Sequence, residues 1–406
     1  MTTPFDLIVF GASGFTGQLV AQYLQSTHGG SAGLRWALAG RDAEKLARVR
    51  QAIGAPASLP LLTADARQPQ QLRALVRQAR AVITTVGPYA LHGEALAVAC
   101  AEAGTDYVDL CGEPLWMAKM IPQLQAPAAA SGARIVFSCG FDSIPFDLGV
   151  VFLQHQMQQQ LGAFAAEVRA RVRVMKGGFS GGTAASLLGT LQAIDREPAL
   201  AGVMANPFAL TPGFQGPPQP SGEGVLFDDW AQSWSGPFVM AAINTKNVHR
   251  THALRGHPWG RGFCYDERQL TGAGPKGERK ARSLSRQTRL QNWLLAMAPT
   301  RALIQRLVLP KPGQGPSAAA RDAGRYEVLL TGQTAAGQRL SVVVKGDKDP
   351  GYGSTSKLVS ESALCLLRDV DRKATPGGVW TPGAAMGLAL VRRLQTYAGL
   401  SFEVQA

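Results

Sequence analysis

A glycine-rich turn directly after the first apolar run is the strongest chemical signal in the chain. The run Leu7–Phe10 leads into Gly-Ala-Ser-Gly-Phe-Thr-Gly at positions 11–17. Glycines let the backbone turn tightly, and the amino end of a following helix offers unpaired N–H groups and partial positive charge. A strand, a glycine turn and a helix in this order seat the diphosphate of a dinucleotide. The predicted contact residues are Gly11, Ser13, Gly14, Phe15, Thr16 and Gly17.

The end of the second predicted strand indicates which dinucleotide is bound. Enzymes that use NAD generally carry an acidic residue there, which binds the ribose 2′-hydroxyl. Here the strand 36–39 is followed by Gly40 and Arg41. A guanidinium can pair bidentately with a 2′-phosphate. We therefore predict NADP(H) as the cofactor, the alternative being that Arg41 is a solvated loop charge.

The ends of the next two predicted strands supply further cofactor contacts. Asp65 ends the third strand and is expected at the adenine edge. Thr85, Gly87, Pro88 and Tyr89 follow the fourth strand and are expected along the ribose and nicotinamide. Both predictions rest on topology, because ligands bind at the carboxyl ends of parallel strands.

Two residues are candidates for catalysis. Asp142 follows the sixth predicted strand at the carboxyl edge of the sheet; its alternative role is to cap the helix that starts at Ile144. Tyr89 could donate its hydroxyl proton to a substrate or pack against the nicotinamide. A third interpretation pairs Tyr352 with Lys357 as an acid, unless Lys357 is simply a solvated helix residue.

The elements that must position these residues form two patterns. Strands and helices alternate through the first 140 residues, which is typical of a doubly wound parallel sheet. The predicted strands there are 7–10, 36–39, 59–64, 81–86, 107–110 and 134–137. The pattern then changes, which predicts a different domain with a mixed or antiparallel sheet in the middle of the chain, and the C-terminal part is predicted to be helical again.

The middle domain begins with an alternating segment and a second glycine-rich stretch. Arg169, Arg171 and Arg173 alternate with apolar residues, which predicts a strand with one solvated face. The stretch 177–183 precedes a predicted helix and is interpreted as a substrate-facing loop, or as a tight connection. A second predicted pair of strands covers 326–331 and 340–345.

Composition narrows the class of protein. The five cysteines form no Cys-x-x-Cys pair, which argues against a metal or disulfide framework.

Localisation and partners are also limited by the sequence. No apolar run reaches the roughly 20 residues of a membrane-spanning helix, and the first predicted strand leaves no room for a signal peptide. We therefore expect a cytoplasmic protein. The net charge is +13, yet no nucleic-acid-binding motif accompanies it, so we expect no nucleic-acid partner.

Part of the positive charge lies in an amphipathic segment at 284–309. Apolar residues there, Trp293 among them, alternate with arginines, and Pro299 predicts two short helices rather than one. Such a segment suits a peripheral membrane contact, a carrier protein or packing on its own domain. The sequence leaves these alternatives open, together with that of a homodimer.

Eight motifs in a fixed order resemble one family. They occupy positions 11–17, 87–89, 107–113, 140–149, 180–186, 312–317, 351–361 and 378–387. This set resembles the saccharopine dehydrogenase-like oxidoreductases, and within them the trans-acting enoyl reductases. The resemblance covers nearly the whole chain. It implies a Rossmann domain over 1–140 and an inserted α/β domain over 141–350 that closes over the cofactor. It also implies C-terminal helices over 351–406 that return to the Rossmann domain.

The resemblance also implies an activity, the NADPH-dependent reduction of an unsaturated acyl chain during lipid or polyketide synthesis. The expected substrate is a small or carrier-bound acyl compound. One alternative is a saccharopine-type amino-acid dehydrogenase, for which Arg169, Arg171 and Arg173 could bind substrate carboxylates. A second is a non-catalytic NADP(H)-binding sensor or scaffold.

Overall fold

A parallel sheet of seven strands forms the first half of the molecule. The structure is a computed structural model, and it describes residues 3–29, 33–177, 181–297, 300–301 and 315–405. The strands are β1 Phe5–Phe10, β2 Trp36–Gly40, β3 Leu61–Thr63, β4 Ala79–Thr84, β5 Asp106–Val108, β6 Arg134–Val136 and β13 Gly378–Trp380. The strand order is β13-β6-β5-β4-β1-β2-β3, and every neighbouring pair is parallel. This sheet confirms the predicted doubly wound fold.

Helices connect these strands, and their ends follow ordinary capping chemistry. They are α1 Phe15–His28, α2 Ala43–Ala52, α3 Pro69–Val76, α4 Tyr89–His92, α5 Glu94–Ala103 and α6 Pro114–Ser131. The Asp42 carboxylate accepts a hydrogen bond from the Lys45 N–H and caps α2. Gly104 ends α5 in the left-handed conformation. The central strands are buried on both faces, so continuous apolar runs such as Leu7–Phe10 identify them.

The second half is built on a mixed seven-stranded sheet. The strands are β7 Glu167–Lys176, β8 Leu226–Asp228, β9 Ser233–Pro237, β10 Cys264–Gly272, β11 Arg325–Gln333, β12 Arg339–Gly346 and β14 Leu400–Gln405. The strand order is β14-β12-β11-β7-β10-β9-β8, in which β10 runs parallel to β7 and all other neighbours are antiparallel. The predicted pairing of 326–331 with 340–345 is present as β11 and β12.

Several helices of the second half and of the C-terminal segment pack on this sheet, and another packs on the first sheet. The helices of these two parts are α7 Ile144–Leu161, α8 Gly181–Arg196, α9 Leu200–Ala205, α10 Ala241–Leu254, α11 Gly274–Ala296, α12 Ala318–Asp322, α13 Thr355–Arg368, α14 Pro382–Ala385 and α15 Gly387–Tyr397. Helix α7 approaches β11 closely at Gly149, where a Cβ atom would lie 2.9 Å from Leu330 Cδ1. This close contact helps to fix the position of α7, the helix that follows the turn containing Asp142.

The C-terminal segment joins both sheets, which differs from the predicted set of helices returning to the Rossmann domain. Helix α13 packs on α1 and β4, and β13 extends the first sheet. The chain then crosses over, and β14 pairs with β12 in the second sheet. The alternation of Leu400, Phe402 and the residues between them is the strand signal that the prediction of helices overlooked.

The arginines of β7 also differ from the prediction of a solvated face. Arg171 is buried, and its guanidinium pairs with Asp228 Oδ2 at 2.5 Å and Asp266 Oδ2 at 3.0 Å. Arg169 and Arg173 likewise pair with carboxylates of neighbouring segments. A buried charge needs such partners, and these arginines are consequently held within the sheet.

Three predictions fall partly on residues that the structure leaves out. Helix α11 is one continuous helix over Gly274–Ala296, whereas Pro299 and residues 302–309 lie outside the described residues. Residues 178–180 of the second glycine-rich stretch and 312–314 of a family motif also lie outside them. Within the described ranges, no helix is both long and apolar enough to cross a bilayer.

Candidate active site

A cavity of about 1040 Å³ lies between the carboxyl edge of the first sheet and the helices α8 and α10. It brings together most of the residues predicted to bind cofactor. Those that line it are Gly14, Phe15, Thr16, Thr85, Gly87, Pro88 and Tyr89, and Asp142 lines it as well. Gly11, Ser13, Gly17, Arg41 and Asp65 are not part of its wall.

The glycine turn has the shape of a backbone cradle. Gly11 has φ +85°, and a Cβ atom there would lie 2.6 Å from Val86 Cγ2. A Cβ at Gly17 would overlap the carbonyl oxygen of Gly11. No side chain caps α1 at Gly14, so the first N–H groups of the helix have no capping acceptor there, and Gly14, Phe15 and Thr16 line the cavity. These residues fit a diphosphate, which such N–H groups bind directly.

Arg41 and Asp65 lie at the ends of β2 and β3, outside the cavity proper. The Arg41 side chain is exposed and has no ion-pair partner among the residues in the described ranges. Asp65 instead pairs with Arg67, whose Nη2 lies 2.8 Å from Asp65 Oδ2. The hydrogen bond from Arg67 lowers the pKa of Asp65 to about 2, with a smaller contribution from Arg41. The Arg41 guanidinium at the end of β2 is therefore without an ion pair to the residues in the described ranges.

The hydroxyl of Tyr89 is committed to the backbone. It donates to the Thr84 carbonyl oxygen at 3.1 Å and accepts from the Leu110 N–H at 3.0 Å. Tyr89 is buried, and desolvation raises its pKa well above the usual value. The hydroxyl thus ties the ends of β4 and β5 together, and this geometry favours the packing alternative over proton donation.

Glu113 is a site residue to which the sequence analysis assigned no role. Its buried carboxylate accepts from the N–H groups of Tyr89 at 2.8 Å and Ala90 at 2.9 Å. It also accepts from the Ser186 hydroxyl at 2.7 Å. Glu113 therefore fixes the loop after β4 and connects it to α8 across the cavity. The sequence signal that could have identified Glu113 is its position directly before Pro114, at the start of a helix.

Asp142 carries its carboxyl group at the cavity wall opposite Gly112. A Cβ built on Gly112 would lie 3.4 Å from Asp142 Oδ2. The side chain does not cap α7, which begins after Ser143 without a side-chain cap, so the capping alternative is wrong. Desolvation raises the pKa of Asp142 to about 6. A half-buried acid at the carboxyl edge with this pKa can hold and release a proton near neutral pH.

Tyr352 and Lys357 do not form an acid pair. The Lys357 ammonium lies 3.0 Å from Asp347 Oδ1. Tyr352 lines the cavity, where its hydroxyl accepts a hydrogen bond from the Gly181 N–H at 2.9 Å. The centroid of its ring lies 4.8 Å from that of the Phe15 ring. Tyr352 thereby connects the glycine turn to the first residue of α8.

The cavity wall becomes apolar away from the glycine turn. Leu91, Leu187 and Val239 are exposed at 73%, 39% and 50%, although each is a large aliphatic side chain. The apolar wall is completed by Leu188, Met204, Met240 and Ile243. Exposed aliphatic side chains that face a common cavity mark a binding surface for an apolar group. We call this part the apolar lobe.

These features define an NADP-dependent oxidoreductase built on a Rossmann sheet. Residues 7–136 match the family model of the saccharopine dehydrogenase NADP-binding domain, which confirms the predicted cofactor. Saccharopine dehydrogenase (L-glutamate forming) of Saccharomyces cerevisiae superposes with a TM-score of 0.54 over 99% of this chain and 100% of that chain. At 12% identity this match shows the fold alone.

More similar relatives specify the branch of the family. A Mycobacterium tuberculosis protein named as a trans-acting enoyl reductase is 41% identical, over 98% of this chain and 97% of its own. The trans-acting enoyl reductase of Mycobacterium bovis is 36% identical, over 96% of this chain and 95% of its own. The chain belongs to the saccharopine dehydrogenase-like oxidoreductases, in the trans-acting enoyl reductase branch.

Proposed function

We propose that the protein reduces the carbon–carbon double bond of an unsaturated acyl thioester with NADPH. One observation carries this proposal: Asp142 lines the same cavity as the residues of the glycine turn and those of the apolar lobe. Such a cavity brings an apolar chain and a cofactor to the same acid. The names of the relatives, which describe enoyl reductases acting in trans, support the same substrate class.

The residues of the chain have separate parts in this reaction. NADPH supplies the hydride when it is bound. The glycine turn and Arg41 hold the diphosphate and the 2′-phosphate, and the apolar lobe holds the acyl chain. The amino end of α8 at Gly181 turns partial positive charge toward the cavity, where negative charge develops on the thioester oxygen. Asp142 then delivers a proton to the α-carbon.

The saccharopine-type alternative lacks the substrate contacts that it requires. It depended on Arg169, Arg171 and Arg173 as partners for substrate carboxylates, but all three pair with carboxylates of the protein. Arg196 is the cationic side chain of the cavity wall within the described residues, and the rest of the distal wall is largely apolar. The cavity thus suits an acyl chain better than an amino-acid adduct.

Asp142→Asn tests the proposed acid. An acid whose pKa is about 6 is protonated below that pH, so kcat/KM for a trans-2-dodecenoyl pantetheine thioester should fall as the pH rises through this value. Asn has no proton to give, so the variant should lose about 10²–10⁴ in rate and the pH-dependent limb with it. NADPH consumption measures the rate, and nicotinamide fluorescence checks that cofactor binding is retained.

Asp147→Asn is the matched control. Burial raises the pKa of Asp147 to about 6 as well, but its carboxylate accepts from the Gly383 N–H and does not line the cavity. This variant should retain the pH-dependent limb. An Asp142→Asn enzyme with unchanged rate and pH profile would exclude Asp142 as the acid.

A further inference from the structure

The outward side of α11 carries positive charge that no acidic residue in the described part of the chain pairs with. Lys276, Arg279, Lys280, Arg286 and Arg289 are all exposed, and within the described residues none of them has an ion-pair partner. Arg282, by contrast, pairs with Glu278 on the same helix. We call these five unpaired cations the α11 basic face. Uncompensated charge on one helix side produces a positive potential that attracts an acidic surface.

The helix is held rigidly against the protein, so this face has a fixed geometry. Gly277, Ala281 and Ser285 are buried at four-residue spacing, and α11 packs along β9 and β10. At the carboxyl end, the outward side changes character, since Leu290 and Trp293 are exposed at 56% and 59%. Their spacing places both in line with Arg286 on the same side of the helix. The cationic part of the outward side is therefore followed by two exposed apolar side chains.

The apolar end of α11 lies beside the distal end of the cavity. Arg301, just beyond the helix, donates to the Leu295 carbonyl oxygen and forms an ion pair with Asp195 of α8. Helix α8 begins at Gly181, whose N–H donates to the Tyr352 hydroxyl. The Tyr352 ring in turn packs against Phe15 of the glycine turn. The 16 residues of α8 span about 24 Å, and its last residue, Arg196, still lines the cavity. The α11 face thus leads to the end of the cavity farthest from the cofactor.

We propose that the α11 basic face, with Leu290 and Trp293, is the docking surface for an acidic protein that carries the acyl substrate as a thioester. This proposal rests on the proposed function, because it names the source from which the apolar lobe receives its chain. Charge complementarity identifies the partner as acidic. The exposed apolar pair is suited to the centre of a protein contact, where tryptophan is enriched.

The geometry favours a protein over a lipid surface. A helix that lies in a membrane interface inserts a whole apolar face among the lipids. The apolar side of α11, which includes Ala281 and Leu295, is buried against its own domain. Among the described residues of α11, Leu290 and Trp293 are the large apolar side chains that are exposed, and they provide a local contact at one end rather than an inserted face.

Charge reversal on α11 tests the proposal. The two substrates are trans-2-dodecenoyl pantetheine and the same acyl group on an acidic bacterial acyl carrier protein. Wild type should have at least a tenfold higher kcat/KM for the carrier-bound form at low salt. Arg279→Glu with Arg286→Glu should remove this preference and leave the pantetheine rate unchanged. Arg77→Glu with Arg392→Glu, which changes two exposed arginines elsewhere by the same charge, should keep it.

The outcomes separate docking from catalysis. If wild type shows no carrier preference, or if the control loses it equally, the docking surface is wrong while the enoyl reduction stands. If neither substrate is reduced, the proposed function fails, and calorimetric binding of the carrier protein to wild type and to the reversal variant decides the docking question alone. Binding to phosphatidylglycerol vesicles that the α11 reversal abolishes, without a carrier preference, would overturn the proposal in favour of a membrane contact.

Discussion

The exposed guanidinium of Arg41 provides a quantitative test of cofactor selection. Arg41 follows β2 and has no ion-pair partner in the described part of the chain, so its charge is available to a 2′-phosphate. A hydrogen bond to a charged group contributes about 1.5–3 kcal/mol. Because Arg41 is exposed to solvent, which screens its charge, the lower value applies. Since about 1.4 kcal/mol corresponds to a factor of ten, Arg41→Ala should weaken NADPH binding roughly tenfold.

Titration of nicotinamide fluorescence with NADPH and NADH measures this effect. NADH lacks the 2′-phosphate, so its dissociation constant should change by less than about twofold on the same argument. Arg48→Ala is a suitable control, because Arg48 is an exposed arginine of α2 and its loss changes the net charge equally. The difference between wild type and Arg41→Ala should shrink as salt is raised. Equal weakening of NADPH and NADH binding would refute the assignment of Arg41 to the 2′-phosphate.

Two further substitutions, one of them with a matched control, probe the cavity wall. Ser186→Ala removes the hydrogen bond from α8 to Glu113 and should lower kcat/KM for the thioester about fivefold, with NADPH affinity unchanged. Thr190→Ala, which removes a hydroxyl that donates to the Ser186 carbonyl oxygen of the same helix, should have little effect in the same kinetic assay. Tyr89→Phe leaves two backbone partners unpaired and should lower the free energy of unfolding by about 2 kcal/mol, measured by urea denaturation. A stable Tyr89→Phe protein that binds NADPH but is inactive would instead restore Tyr89 as a catalytic residue.

The sequence predicted the first sheet well because its signals are local. Parallel strands buried on both faces appear as short apolar runs, and the helix ends at Asp42 and Gly104 depend on one or two residues each. The glycine turn is equally local, since its strand, turn and helix follow one another directly. Cofactor class and family could therefore be predicted before the fold was known.

The remaining features depend on residues that are distant in sequence. Arg171 looked solvated because its partners, Asp228 and Asp266, lie 57 and 95 positions away. The sequence left Tyr89 open between proton donation and packing, because the pattern cannot show that its hydroxyl oxygen accepts from the Leu110 N–H. The bridge from Ser186 to Glu113 crosses the cavity, so only the folded arrangement reveals it.

The path of the C-terminal segment has a consequence for how the protein is made. The second sheet contains β12 at residues 339–346, and the strand that covers its outer edge is β14, at 400–405. During synthesis the chain emerges in order, so the outer edge of β12 stays unpaired while more than fifty later residues are translated. An unpaired edge is a template for association with other chains. Nascent chains stalled before Leu400 should consequently aggregate more readily than chains released after β14 has joined the sheet.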